Sequence, residues 1–575
     1  MAVAARADAT STAPPRAISW DRPVQWLLAL LAAALVIFPL LPIVLQSVLD
    51  RPLYEANRQL TPGNYARILS SAEFWATLGT TLAFGIVTTI LAVTIGTLLA
   101  VILTRTDVPA SGLLHNVVLV PFYVSPLVLA FAWAIVYGPS GFATLFLRAN
   151  LRLPTWELYT IGGIALVAAV YFVPYTYLYS IGSLALTDPQ LEDAGRIAGA
   201  GPLKVLSAVT LPLLRPALAY GTLLTLVSSI ELLSIPLVLG SPVGIQVLAS
   251  YLYKLGLVGA QTDYGGIAAI SVMMLLVITG LVWLQLRVTG QERRFVTVGG
   301  RATRGRVLRL GNLRWPLAAL VALYALLAVV MPLLGIVAQS ATSFLSPLVN
   351  PLELLTTDNY SKLFGEPSYV RSMTNSLLIS AIGGAIGILF IALCALVISR
   401  SDFPGRRVLA YLALYPRAIP GIIVGIGFLW AFLLLPGIGG IRNTLFALTI
   451  AFIMRFIPLG YGAVSPSVLR ISPELDRAAR VAGAGWLHTM RAILLPILQP
   501  ALLSGFVLLF ISFLKEYSSA LFLFARGSEV IGTTMIELWR QGNSGPVAAL
   551  SAVQLAITFV VLLVSQRLLG ARLHG

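Results

Sequence analysis

Residues 188–218 read DPQLEDAGRIAGAGPLKVLSAVTLPLLRPAL, and residues 472–502 read SPELDRAARVAGAGWLHTMRAILLPILQPAL. About half of the aligned positions are identical without a gap, including the Ala-Gly-Ala-Gly, Leu-Pro and Pro-Ala-Leu steps. Chance similarity between two apolar helices does not explain such a match, so the chain contains an internal repeat. Because each copy lies between long apolar runs, the pattern predicts a polar loop that is duplicated within a membrane protein and forms a paired docking surface.

The composition places the chain in a lipid bilayer. Hydrophobic residues make up 58% of it and charged residues only 10%, which excludes a soluble globular protein. Apolar runs of about 20 residues, the length that crosses a hydrocarbon core, predict an all-α integral membrane protein with about twelve transmembrane helices in two sets of six. The predicted spans are 24–50, 76–104, 112–137, 158–187, 212–240 and 264–287, then 315–342, 373–399, 408–435, 443–469, 498–524 and 546–566.

The repeat extends beyond the two loops. Asn64 and Tyr65 align with Asn359 and Tyr360, and other pairs follow at the same spacing. Because six spans separate equivalent residues, the two halves have the same orientation and are parallel repeats. The predicted division is a tail at 1–23, a first half at 24–290 with the loop 188–218, a basic linker at 291–314, and a second half at 315–575 with the loop 472–502.

The formal net charge of +16 reflects membrane topology and not nucleic-acid binding. If the N-terminus lies in the cytoplasm, most arginines and lysines of the loops, including those of the basic linker, lie inside, as the positive-inside rule requires. The opposite orientation would place this majority outside. Both termini are therefore predicted to be cytoplasmic.

Each repeated loop predicts two short helices that meet at a glycine elbow. In the first copy Gly199 and Gly201 interrupt the helix, and Pro202 is suited to open a second helix at its first turn. The small side chains of this surface allow another protein to approach closely. The alternative is an ordinary helix lying on the lipid headgroups, but repetition at matching topological positions favours docking.

The loops resemble the EAA loop of bacterial type I ABC importer permeases: Glu-Ala-Ala, three residues, Gly, nine residues, Ile, one residue, Leu-Pro. The resemblance implies that each loop couples to a separate ATPase subunit. The implied coupling residues are Asp193, Ala194, Gly195, Gly199, Ala200 and Gly201 in the first loop, and Arg477, Ala478, Ala479, Gly483, Ala484 and Gly485 in the second. The acidic first position is kept as Asp193 but is Arg477 in the second copy, which indicates unequal coupling.

The same resemblance implies the partners: two copies of a cytoplasmic ABC ATPase, an extracytoplasmic solute-binding protein and the lipid bilayer of a bacterial inner membrane. The chain has no Gly-x-x-x-x-Gly-Lys-Ser/Thr phosphate loop, so ATP and Mg²⁺ are expected on the partner ATPase and no cofactor on this chain. Two fused halves resemble most the permeases for ferric iron, with thiamine, polyamine and phosphonate importers as relatives.

Five charged residues lie well inside predicted spans, where a charge is expensive and usually faces the bundle interior or a watery path: Glu231, Arg417, Arg455, Lys515 and Glu516. Their excess of cations fits an anion, or a metal that travels with anions. Tyr123 of the third span is a further candidate for the path. The alternative is a structural bridge in which Lys515 or Arg455 pairs with Glu516.

Two other classes of protein remain as alternatives. A secondary transporter with twelve spans would share the repeat, but it would need no coupling loops. An integral membrane enzyme would need convergent catalytic groups, whereas His115, His488 and His574 lie far apart and make no metal-ligand spacing. The importer permease, a subunit without catalysis of its own, explains the most features.

Overall fold

The structure is a computed structural model that describes residues 21–152, 156–186, 191, 194–195, 197–259, 262–292, 308, 310–434 and 439–569. In these ranges all regular elements are helices. Most of the N-terminal tail (1–23) and of the linker (291–314) lies outside the described residues.

The first half contains six spans in the predicted order, several of them built from two helices. Their helices are Asp21–Ile37 with Leu40–Ser47, Ala72–Arg105, Ser111–Tyr123 with Pro126–Tyr137, Ile161–Leu186, Leu211–Ile230, and Tyr264–Glu292.

The second half repeats this order as spans seven to twelve. Their helices are Arg314–Tyr324 with Met331–Ser340, Pro367–Leu378 with Gly384–Arg400, Arg406–Leu414 with Gly421–Leu434, Leu445–Arg470, Gln499–Leu514, and Ser544–Leu569. The predicted fold class, two parallel repeats of six helices, is confirmed.

The structure repeats at the level of single hydrogen bonds. The amide of Asn64 donates to the carbonyls of Ser47 and Leu49. The amide of Asn359 donates to the carbonyls of Gln339, Ser340 and Thr342, at the end of the seventh span. The hydroxyls of Tyr65 and Tyr360 each lie 2.9 Å from the serine Oγ at the end of the preceding span. Sequence positions that align therefore have the same role in both halves.

Among the described residues, nine helices are long and apolar enough to cross a membrane, and up to 13 spans result if each bent pair of helices counts as one. The thirteenth candidate is the bent pair Pro236–Val243 and Leu248–Val258, which lies between the fifth and sixth spans. The helices of the fifth and eleventh spans end at Ile230 and Leu514, ten residues before the ends predicted from the apolar runs at 240 and 524. A run of apolar residues marks what is buried, and it does not reveal where the helix stops.

The two halves exchange their first spans. The first span packs against the second half, where the ring of Trp26 meets that of Phe403 edge to face at 5.0 Å. The seventh span packs in turn against the third span of the first half, since a Cβ on Gly335 would lie 2.2 Å from a methyl group of Val136. The first span of each half thus contacts the other half.

Candidate functional site

The two glycine elbows have the same backbone geometry. Gly199 and Gly483 have φ angles of +81° and +80°, and an added Cβ would meet nothing within 4 Å at either position. The amide of Ala200 donates to the carbonyl of Gly195, and that of Ala484 donates to the carbonyl of Ala479. Both are the six-to-one bonds that close a helix around a left-handed glycine. The glycines are required by the backbone conformation and not by lack of space.

The elbows present an exposed apolar side chain at equivalent positions. Ile197 is 88% exposed and Val481 90% exposed, each two residues before its elbow glycine. A single exposed apolar side chain is common on protein surfaces, but here the exposure recurs at equivalent positions of the two halves. Only the structure shows that both side chains point away from the protein.

The other predicted coupling residues lie in the same helix–elbow segments, with one exception. Asp193 lies outside the described residues. The helix before the second elbow is Pro473–Val481, in which Arg477 is exposed and Ala479 is buried. The remaining predicted residues of this set are Ala194, Gly195, Ala200 and Gly201 in the first loop and Ala478, Ala484 and Gly485 in the second.

In each half an arginine at the end of the second helical span holds the segment that leads into the repeated loop. Arg105 Nη2 donates to the carbonyl of Leu184 at 2.8 Å, and Arg400 Nη2 donates to the equivalent carbonyl of Val468 at 2.8 Å. Arg400 also forms an ion pair of 3.1 Å with Asp476 in the second loop. The arginines thus fix the ends of the fourth and tenth spans, from which the loops begin.

The fifth and eleventh spans break at the intramembrane charges. The helix of the fifth span ends one residue before Glu231, and that of the eleventh ends at Leu514, before Lys515 and Glu516. One carboxylate oxygen of Glu516 accepts hydrogen bonds from the amide of Ser519 (2.9 Å) and from the hydroxyls of Ser518 and Ser519. Broken helices inside a membrane are tolerated where they are buried in protein or line a cavity.

Arg455 of the tenth span neutralises Glu516. Its Nε lies 3.0 Å from the second carboxylate oxygen, and the two side chains are 19% and 7% exposed. The guanidinium packs on the backbone of Gly421, because a Cβ there would lie 2.2 Å from Nη1. The structure therefore contains the bridge with Glu516 that the sequence analysis kept as an alternative, formed by Arg455 and not by Lys515.

The two other cations cross the boundary between the halves. Lys515 Nζ donates to the carbonyl of Phe122 at 2.8 Å and lies 5.6 Å from the centre of the Phe122 ring. Arg417 Nη1 donates to the hydroxyl of Tyr220 at 3.1 Å. Each contact joins the third span of one half to the fifth span of the other, counted within each half. The second half thus supplies both cations and the first half both acceptors.

Glu231 differs from its counterpart Glu516. Within the described parts of the chain its carboxylate forms no hydrogen bond or ion pair, although it interacts electrostatically with Arg455, Glu516 and Arg417. The side chain is partly exposed in the middle of the bundle. Glu231 is thus a carboxylate of this cluster to which the described residues supply neither a hydrogen bond nor an ion pair.

Sequence reasoning missed a row of tyrosines on the fourth span. Tyr171, Tyr175 and Tyr179 are four residues apart, so they share one face of the helix. The ring of Tyr175 lies 5.0 Å from that of Phe122, and the ring of Tyr179 lies 4.9 Å from that of Tyr220. The spacing could be read from the sequence. Only the structure shows that this face of the helix lies beside Phe122 and Tyr220, which accept the hydrogen bonds from Lys515 and Arg417.

Tyr123 lies at the end of the helix that precedes the break in the third span. Its ring meets that of the neighbouring Phe122 edge to face at 5.1 Å. It is thus placed beside the contact made by Lys515. The charges, the tyrosine row and Tyr123 form one polar cluster at the boundary of the halves, which we call the boundary cluster.

A family model described as "Binding-protein-dependent transport system inner membrane component" matches residues 92–290 and again residues 386–574. A Haemophilus influenzae protein named as ferric transport system permease FbpB 1 is 29% identical over 72% of this chain and 64% of its own length. The ferric transport system permease protein FbpB of Actinobacillus pleuropneumoniae is 26% identical over 79% of this chain and 65% of its own. The chain thus covers just under two thirds of either relative.

A Sinorhizobium fredii protein named as ABC transporter permease y4fN is similar along nearly its whole length. It is 26% identical over 96% of this chain and 98% of its own. The two matches to one family model confirm the duplication that was first seen in the repeated loops.

Proposed function

The chain belongs to the family of binding-protein-dependent transport system inner membrane components, and on this basis we propose that it is the translocating subunit of an ATP-driven importer. The observation that carries the proposal is the pair of cytoplasmic loops with identical elbow geometry and an equivalent exposed apolar residue in each, Ile197 and Val481. Two equivalent surfaces fit two copies of one partner. In the proposed complex that partner is an ABC ATPase, which binds the ATP and Mg²⁺.

An extracytoplasmic solute-binding protein delivers the cargo, in keeping with the description of the family. The complex lies in a bacterial inner membrane, with both termini of the chain in the cytoplasm. The chain itself has no catalytic role and binds no cofactor. It moves the cargo inward by alternating access, driven by hydrolysis on the partner.

The proposed cargo is ferric iron, which is supported by the names of two relatives and by the chemistry of the boundary cluster. Carboxylate and phenol oxygens are hard donors that suit hard cations, and the arginines and lysine suit an accompanying anion. Glu231 and Tyr175 represent the first kind of group, and Arg417 the second. Thiamine, a polyamine or a phosphonate remain alternative cargoes, and a carrier without an ATPase is the alternative mechanism.

The cargo path runs along the boundary cluster, where both halves contribute side chains. The proposed path residues are Glu231, Arg417, Arg455, Lys515, Glu516 and Tyr123. Movement of the halves would break the contacts of Lys515 with Phe122 and of Arg417 with Tyr220, because each joins one half to the other. Alternation of the two halves around a fixed site is the behaviour expected of parallel repeats.

Reconstitution tests the proposal. The chain in lipid nanodiscs should show no ATPase activity above background, whereas proteoliposomes that also contain the ATPase and the binding protein should take up ferric iron only with ATP. Thiamine, a polyamine and a phosphonate offered in parallel decide between the cargoes. Turnover by the chain alone, or uptake without the ATPase, would contradict the proposal.

A further inference from the structure

The first residue of the first span touches the second cytoplasmic loop, far away in the sequence. The carboxylate of Asp21 accepts a hydrogen bond from the amide of Trp486 at 3.0 Å and another from the amide of Leu487 at 3.1 Å. These amides open the short helix Trp486–Thr489, which follows the elbow at Gly483. A carboxylate at this place satisfies amides that the helix itself leaves without partners.

Apolar packing supports the same contact. The side chain of Trp486 packs on a cluster in which Leu28 and Ala32 of the first span meet Cys394 and Val397 of the eighth. Gly485 lies beside the carboxylate, since an added Cβ would be in ordinary contact with Asp21 Oδ2 at 3.4 Å. The second loop is therefore joined to the first span by hydrogen bonds and by buried surface.

The first loop is built differently at the equivalent place. Trp486 aligns with Pro202, which has no amide hydrogen to donate. The segment that enters the seventh span is held elsewhere, because the amide of Leu310 donates to Asp107 Oδ1 at 2.9 Å in the turn after the second span. We call the contact between the Asp21 carboxylate and the amides of Trp486 and Leu487 the clasp. It is formed by the second loop, and the proline in the first loop prevents an identical contact there.

We propose that Asp21 is a positioning residue that couples the second loop to the first span, so that the two loops transmit ATPase movement unequally. The inference rests on the proposed function, since it assigns a role within the coupling of the ATPase to transport. The first span packs on the second half, so a clasped loop moves with the span and with its own half as one body. Among the described residues the first loop shows no such clasp, and its proline at position 202 cannot donate the equivalent hydrogen bond.

The experiment compares Asp21→Ala and Asp21→Asn with Asp50→Asn in the complete complex. Asp50 is a matched control, because its carboxylate accepts a hydrogen bond of 2.7 Å from the amide of Gln59 beyond the outer end of the same span. Hydrogen exchange of peptides that contain Trp486 and Leu487 measures the clasp. Ferric iron taken up per ATP hydrolysed measures the coupling.

In Asp21→Ala the amides of Trp486 and Leu487 should exchange about fivefold faster, the usual effect of losing a helix cap. Exchange in the peptide after Gly201 should stay unchanged. Uptake per ATP should fall while the rate of ATP hydrolysis is kept, which a merely structural loss would not produce. Asp21→Asn keeps one acceptor oxygen and the shape of the side chain, so its exchange rates and its uptake per ATP should lie between those of the wild type and Asp21→Ala. For Asp50→Asn both quantities should equal those of the wild type.

Unchanged exchange would show that the clasp does not exist, and faster exchange with normal uptake per ATP would show that it has no role in coupling. Either result overturns the inference. If the wild-type complex takes up no ferric iron with ATP, the proposed function is contradicted and not the role of Asp21. The wild type is therefore measured before any variant.

Discussion

Arg455 and Glu516 form an ion pair of 3.0 Å between the tenth span and the broken end of the eleventh, with both side chains largely buried. Replacing a buried pair by apolar groups is often tolerated, whereas removing one partner leaves a charge without compensation. Single and double substitutions of this pair can therefore distinguish a role in stability from a role in transport.

Arg455→Met should reduce the folded yield, because it leaves Glu516 as an uncompensated carboxylate, at a cost of about 3–5 kcal/mol. The double variant Arg455→Met with Glu516→Gln should recover the yield. Size-exclusion profiles and thermal melts of the purified protein measure this. Equal yields for the single and double variants would mean that the pair does not stabilise the fold.

Lys515→Met should fold normally and transport poorly. Its Nζ donates to the neutral carbonyl of Phe122, so the substitution removes a contact between the halves and strands no paired carboxylate. Uptake by the reconstituted complex, divided by the amount of folded protein, is the quantity to compare with the wild type. Normal uptake would remove Lys515 from the cargo path.

Gly199→Leu and Gly483→Leu should insert into the membrane normally and uncouple transport. A side chain at a φ angle near +80° costs about 1–2 kcal/mol of local backbone energy, while the open space around each glycine excludes a clash. Gly182→Leu is the matched control, because it is equally open but has an ordinary helical backbone. Loss of the elbow variants from the membrane, with normal activity in what remains, would show that the elbows serve folding.

Ile197→Ser and Val481→Ser should each weaken binding of the ATPase about tenfold, the usual cost of removing an apolar anchor from an interface. Leu348→Ser is the control, since Leu348 is 68% exposed on the predicted outer face. Titration of the ATPase against the chain in nanodiscs gives the Kd. If Leu348→Ser weakens binding as strongly as the two loop variants, the docking surface lies elsewhere.

Asp263, just before the sixth span, should make stability depend on pH. Burial raises its pKa, but the hydrogen bonds from Arg67 and Gly266 and the charge of Arg67 outweigh burial and hold the pKa below its usual value. The stabilisation is therefore complete above the unfolded pKa of about 3.9 and is lost as the pH falls through the lower folded pKa. Thermal melts should show Asp263→Asn less stable than the wild type at pH 7, and the difference should disappear in strong acid. A difference that grows in acid would refute this assignment.

The sequence determined the membrane class, the two repeats and the glycine elbows, because all three depend on local patterns: apolar runs of membrane length, a repeated loop, and glycines where a helix must turn. It also gave the charges inside the membrane, since such residues stand out against an apolar background. The sequence did not show which residues these charges pair with. It also predicted that the fifth and eleventh spans continue past Glu231 and Lys515, because the apolar run continues where the helix ends.

Only the tertiary structure decided which residues meet. Arg455, and not Lys515, pairs with Glu516, and the carboxylate of Asp21 reaches the amides after the second elbow. Such contacts join residues that are distant in the chain, and they follow from the crossing of the first spans and the angles of broken helices. Those angles are set by side-chain packing between the halves, which no periodicity within a single span encodes.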